Sequence, residues 1–431
     1  KAGPKPKAAT PRKKKTRRRK AAPSRFKTYL LGLGLGLVLG LIGTLALIYQ
    51  PWNRPSPAAS IPPAAPTRAP QPPAAGPAQP EVLYEENQAL DRLVKTLDLC
   101  IYSALGRMKV PEENIHFLEV TLKTKGRKQW DQAVIEVALP PELAPVKAVE
   151  GLRAALERGS GPEARLTARK HQGGLVAELY AEGLLTHTLY LVPAASPARA
   201  AKPAPPEEKP RARPRAALII DDFGLSLDQA RCFLELECPV AFSILPFLDH
   251  SEDVARLAHG KGCPVMLHLP MEPDQYPQVD PGRGALLTSM SRPEIEAKTK
   301  AALQAVPFAV GVNNHMGSKF TEDRTRMDWV LSELKKEKVF FVDSRTSNHS
   351  VAYDEARRLG LPATKRTVFL DNVPEPQAIR VQLRKLIAQA GRPGGVVGIG
   401  HVYPVTCQVL KSEYNYLNSK VELVPITRMF E

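Results

Sequence analysis

The chain has 431 residues and a formal charge of +16, too long for one ordinary domain. Thirteen Lys and Arg, and no acid, fall within residues 1–27, so the remainder carries only +3. The basic balance therefore describes a tail, which excludes specific nucleic-acid binding by a basic folded domain.

Directly after the tail, Tyr29 to Tyr49 give 21 residues without a charge. That is the length at which a helix spans a bilayer core. The positive flank predicts that the amino end stays in the cytoplasm. Residues 28–49 thus read as a single-pass anchor in the inner (cytoplasmic) membrane, with the later domains in the periplasm or outside. A cleaved signal peptide fits less well, because the apolar run exceeds the usual length and no small-x-small site closes it. Gly32, Gly36 and Gly40 recur every fourth residue. Such a stripe would let two copies pack as a homodimer, although glycine is also simply frequent in membrane helices.

Residues 50–81 are rich in Pro and Ala, as are 195–214. Both read as extended spacers that cannot form a core. Between them, 82–194 read as a small α+β domain. Leu83, Leu90, Leu93, Val94, Leu97, Ile101 and Leu105 lie on one helical stripe. Strands at 115–122 and 133–139, a helix at 141–157 and extended stretches at 164–169, 174–180 and 184–192 follow. The order is α-β-β-α-β-β, with room for one more strand. His116, His171 and His187 are scattered and form no catalytic group. Tethering, dimerisation or partner binding are the roles this part suggests.

From 215 to 431, short apolar runs alternate with helical patterns, which predicts parallel strands and crossover helices. Seven or eight βα units in this space predict a shortened or partly open (β/α) barrel. Five runs end abruptly in Asp221-Asp222, His268, Asn314-His315, Asp343 and His401. Ligands in such folds sit at the carboxyl ends of the strands. Asp and His converging there suit a divalent metal with its general base and acid. Each residue also has a plain reading. Asp222 caps the next helix, His268 and His401 pack, Asn313 and Asn314 turn the chain, and Asp343 pairs locally with Arg345. Five cysteines show no metal-ligand spacing, and their odd number excludes a complete disulfide framework. They read as small buried apolar residues.

The segments LIIDDFG (218–224), HLPMEP (268–273), GVNNHMGS (311–318), FFVDSRT (340–346), VFLDN (368–372) and GIGH (398–401) resemble the divergent polysaccharide deacetylase family. That family is distantly related to the NodB-type carbohydrate esterases. The resemblance covers 215–431 and nothing before it. It implies Asp221 as catalytic base, Asp222 as metal ligand and His401 as general acid. The NodB-type pattern has two histidines in a single motif. Here Glu272 stands at the second position, and His315 ends another strand. The ligand triad implied is Asp222, His268 and His315, with Glu272 beside it or as an alternative ligand. Asn314, Asp343 and Arg345 would support the site, Asp343 and Arg345 by orienting His401 or binding substrate oxygens.

The implied reaction is hydrolysis of an N- or O-acetyl group on an envelope glycan such as peptidoglycan, with a divalent ion, zinc in particular, as cofactor. A contrasting reading is a noncatalytic envelope protein that binds peptidoglycan or a partner; it would show an incomplete ligand set. A phosphoesterase is a third reading, weakened by the absence of a phosphate-binding Gly loop.

Overall fold

The computed structural model describes residues 88–126, 128–160, 163–171, 173–194 and 213–431. The predicted tail, the 28–49 span with Gly32, Gly36 and Gly40, the 50–81 spacer and nearly all of the 195–214 spacer lie outside the described residues. Among the described residues no helix is long and apolar enough to cross a membrane.

The first folded part runs α1 (Gln88–Arg107), β1 (Ile115–Lys125), β2 (Lys128–Leu139), α2 (Pro145–Gly159), β3 (Ala164–His171), β4 (Gly174–Ala181) and β5 (Leu184–Pro193). The order matches the predicted one, and the extra strand is present. The sheet order is β1-β2-β5-β4-β3, parallel only between β2 and β5. Leu97, Ile101 and Leu105 of the predicted stripe are buried, with Leu152 of α2 and Ile135, Val137 and Leu189 of the sheet in the same core.

The second part alternates β6 (Arg215–Phe223), α3 (Leu227–Leu234), β7 (Val240–Ile244), α4 (Ser251–Gly260), β8 (Val265–Met271), α5 (Arg292–Ala305), β9 (Ala309–Met316), α6 (Arg324–Lys336), β10 (Phe340–Asp343) and α7 (Ala352–Arg358). It ends with β11 (Ala363–Lys365), β12 (Val368–Phe369), α8 (Pro376–Gln389), β13 (Val396–His401), α9 (Pro404–Lys420) and β14 (Glu422–Leu423). The strands follow β11-β10-β9-β8-β7-β6-β13-β12, with β14 on β6, and every pair is parallel. The sheet curls until its two edges meet without pairing. Arg366 N–H donates to Asp343 O on one edge, and Thr367 N–H donates to Val397 O on the other. Adjacent residues thus span the seam, which makes this the partly open barrel expected.

Strand side chains alternate between two faces. Leu218, Ile220, Phe242, Leu267 and Val396 pack outward with the helices. Ala217, Ile219, Ala241, Met266, Val342, Val397 and Ile399 form a separate inner cluster, closed below by Ile426. Two residues further along, the same inward positions become Asp221, Ser243, His268, Ser344 and His401. The interior is therefore apolar at the amino ends and polar at the carboxyl ends.

The expectation that the cysteines are small buried apolar residues holds for Cys238 alone of the three free thiols, since Cys100 and Cys263 are only partly buried. Cys232 on α3 and Cys407 on α9 form a disulfide across 175 residues of sequence. The folded parts are also less separate than two flanking spacers suggest. Val381 of α8 belongs to the core of the α+β part, and Arg392 Nη2 donates to Val120 O at 2.6 Å. Lys385 of α8 and Asp98 of α1 form a buried ion pair.

Candidate metal centre and proton-transfer pair

Consecutive residues of a strand point to opposite faces, so Asp221 and Asp222 should diverge. They do not, because β6 is irregular between Ile220 and Phe223 and Asp222 takes φ +66°. A left-handed conformation is uncommon outside glycine, and aspartate tolerates it better than most. The bulge brings both carboxylates to His268. Its Nε2 lies 3.4 Å from Asp222 Oδ1 and 3.7 Å from Asp221 Oδ2.

His315, three positions beyond Val312 on β9, supplies the third group. Its Nδ1 is 3.1 Å from His268 Nε2 and 3.1 Å from Asp222 Oδ1. Met316, the next residue, turns the chain at φ +50°. Three potential ligand atoms therefore form a triangle with edges of 3.1, 3.1 and 3.4 Å. Tetrahedral ligands about 2.0–2.1 Å from zinc stand roughly 3.3 Å apart. Asp222 Oδ1 is buried and accepts no hydrogen bond among the described residues, a costly state without a cation. Burial opposes its ionisation, but the neighbouring His315 and His268 hold the carboxyl well below its usual range. Carboxylate and two imidazoles fit a divalent ion, and Asp222, His268 and His315 form a group able to hold one.

Glu272 does not join this group. Its Oε1 receives Lys319 Nζ at 2.7 Å, and its Oε2 receives the Thr288 hydroxyl at 2.7 Å and the Thr288 N–H. Burial works against its charge, yet these donors hold its carboxyl below the usual value. The alternative of Glu272 as a ligand is thus corrected: the side chain ties the loop before α5 to β9's following turn.

The orienter of His401 is also corrected. Asp371, just past β12, takes His401 Nδ1 at 2.9 Å and accepts the His401 N–H and the Thr406 hydroxyl, both at 2.6 Å. Asp343 is occupied elsewhere, accepting Arg345 N–H at 2.7 Å, Ser350 Oγ at 2.8 Å and Tyr353 N–H at 3.3 Å. Burial pushes its carboxyl up, partly offset by these donors. Arg345 stands at φ +52°, and its carbonyl accepts Arg366 Nη2 at 2.9 Å. Asn314 braces the same loop: its Oδ1 accepts Ser344 N–H at 2.9 Å, and its Nδ2 donates to Met316 O at 2.8 Å.

Neither Asn313, for which the sequence offers only the plain reading of a turn former, nor Asp371 is among the expected site residues, yet both hold groups of the site. Asn313 is wholly buried and bonds to Asp221 at 3.0 and 3.1 Å. The signal for both was available: each sits at or beside the carboxyl end of an apolar run.

The sequence pattern of the family described as divergent polysaccharide deacetylase matches residues 218–430. The protein YibQ of Escherichia coli (strain K12) is 35% identical over 210 residues, covering 49% of this chain and 65% of YibQ. An uncharacterized protein of Haemophilus influenzae is 30% identical over 213 residues, covering 49% of this chain and 75% of that protein. Among solved structures, ATU2773 from Agrobacterium tumefaciens C58 is 20% identical with a TM-score of 0.49, covering 52% of this chain and 92% of that one. With six motifs at the strand ends of 215–431, the family pattern matching 218–430 and relatives at 30–35% identity, the chain belongs to the divergent polysaccharide deacetylase family.

Proposed function

We propose that the protein is a membrane-anchored, envelope-facing hydrolase that removes acetyl groups from a cell-envelope polysaccharide. The observation that carries this reading is the triangle of Asp222 Oδ1, His268 Nε2 and His315 Nδ1, with Asp221 beside it. His401 supplies a second proton-transfer group from a neighbouring strand. The contrasting binding-protein reading expects an incomplete ligand set, and three ligand atoms stand together here.

Asp222, His268 and His315 would hold a divalent ion, zinc being suited to one carboxylate and two imidazoles. Such an ion supplies Lewis-acid polarisation of the acetyl carbonyl and acidifies water. Asp221, fixed by Asn313, accepts the proton of the attacking water. His401 donates a proton to the departing amine or alkoxide, and Asp371 stabilises its imidazolium while fixing Nδ1. Asn314, Asp343 and Arg345 shape the loop that borders these groups.

The charge-free 28–49 run behind its basic flank would anchor the chain with its amino end in the cytoplasm, and Gly32, Gly36 and Gly40 would let two copies pair there. The Cys232–Cys407 disulfide supports an oxidising compartment for the barrel. Release of acetate from N- and O-acetylated envelope oligosaccharides, with metal content measured in parallel, tests the reading. A zinc-loaded protein that releases no acetate from any of them would overturn it.

A further inference from the structure

The Asn313 side chain is wholly buried in the barrel interior, where an amide is tolerated only when its groups are paired. Its inventory is full. Oδ1 accepts the Ser243 hydroxyl at 2.6 Å and lies 3.3 Å from His268 Nδ1. Nδ2 faces Asp221 Oδ1 and Oδ2 at 3.0 and 3.1 Å and Ser344 Oγ at 3.1 Å. We infer that Asn313 is the positioning residue that couples Asp221 to the metal-facing nitrogen of His268, an inference that rests on the deacetylase reading for the role of Asp221.

A carboxylate only accepts, so the amide nitrogen must face Asp221. Oδ1 then faces His268, and an imidazole nitrogen opposite a carbonyl oxygen carries the proton. His268 is therefore protonated on Nδ1. Its Nε2 keeps the lone pair, and that nitrogen stands in the triangle with Asp222 and His315. One amide holds the base by both oxygens and selects the tautomer that can ligate a metal. Strand alternation sends Asn314 to the opposite side, where it braces the 344–346 loop. The two adjacent asparagines therefore have separate tasks.

Two substitutions separate the coupling from general support of the fold. Asn313→Leu removes both polar ends. Asn313→Asp keeps an acceptor for His268 Nδ1 but sets a carboxylate against Asp221. The full chain is titrated with Zn²⁺ against a chelator, with the Co²⁺ visible spectrum as a second readout and acetate release as a third. Asn313→Leu is expected to weaken Zn²⁺ binding about 10–100-fold, the usual cost of losing a partner behind a metal-bound histidine, and to alter the Co²⁺ bands. Asn313→Asp is expected to keep Zn²⁺ within about threefold of wild type, since a carboxylate also supports a metal-bound histidine. Its acetate release should fall about 10²–10⁴-fold, the range for loss of a general base. A purely structural role would move both readouts together in both variants. Wild-type affinity in folded Asn313→Leu overturns the tautomer link, and wild-type turnover in Asn313→Asp overturns the clamp on the base. Should Leu fail to fold, Asn313→Ser takes its place under the same criteria. A wild type that binds Zn²⁺ but releases no acetate overturns the deacetylase reading and with it the clamp on a base. The Zn²⁺ titration still decides the His268 half.

Discussion

Asp98 of helix α1 and Lys385 of helix α8 are an ion pair with both side chains 3% exposed, bridging the α+β part and the barrel. His187 Nε2 reaches the other Asp98 oxygen at 3.1 Å. Burial opposes the Lys385 charge, but Asp98 and Asp131 outweigh it and hold its ammonium above the ordinary value. Breaking a buried pair by removing one partner costs about 3–5 kcal/mol, because the other charge is stranded. Lys385→Ala should lower stability by that order in urea unfolding, and Asp98→Asn paired with Lys385→Met should recover much of it. A 213–431 fragment should be less stable than the chain that includes 88–194.

The same pair carries a pH signature. Burial raises the cost of ionising Asp98, but Lys385 and His187 outweigh it and hold the carboxyl below its ordinary value of 3.8. A depressed folded value means the contribution is full above about pH 4 and drains away as pH falls through the folded value. Unfolding midpoints measured from pH 7 down to pH 3 should show a steeper acid limb in wild type than in the Asp98→Asn, Lys385→Met pair.

His315→Ala should lose stoichiometric metal while the domain stays folded, since a second shell cannot replace one of three protein ligands. Glu272→Ala should keep its metal, because Lys319 and Thr288 hold that carboxylate away from the triangle. Elemental analysis of the two variants decides it. Metal kept by the first and lost by the second would restore Glu272 as a ligand.

Asp221→Asn and His401→Ala should each cut acetate release by about 10²–10⁴-fold. His401→Ala should fall further on amides than on activated esters, since a good leaving group needs less protonation. Asp371→Asn should follow His401→Ala in this contrast and retain metal, because Asp371 touches the imidazole and not the triangle.

Reduction of Cys232–Cys407, or Cys232→Ser, should cost about 2–4 kcal/mol. Chemical denaturation with and without reductant measures it. The effect on acetate release should be larger than distance from the triangle suggests, since Thr406, next to Cys407, donates to Asp371.

Much of the barrel was legible because buried parallel strands are unbroken apolar runs, and each run stops where a polar side chain faces the interior. Asp222, His268 and His315 were found from that rule together with the family's motifs. The parts that were not legible depend on neighbours distant in sequence. Asp371 and His401 meet only because β12 pairs with β13. Cys232 and Cys407 meet only because α3 and α9 pack together. Strand β11 has three residues, too few for a periodic signal. Glu272 followed the spacing of a ligand, but its side chain was taken by Thr288 and Lys319.

The irregularity in β6 has a further consequence for parity. A strand is a two-beat repeat, and one extra residue shifts everything after it by half a period. Deleting Phe223, or straightening the backbone at Asp222, would send one of the two aspartates to the helix side whatever its identity. The adjacent pair is thus a property of chain geometry first and of residue type second. Grafting Asp-Asp onto a regular strand of another barrel would place only one carboxylate in its interior.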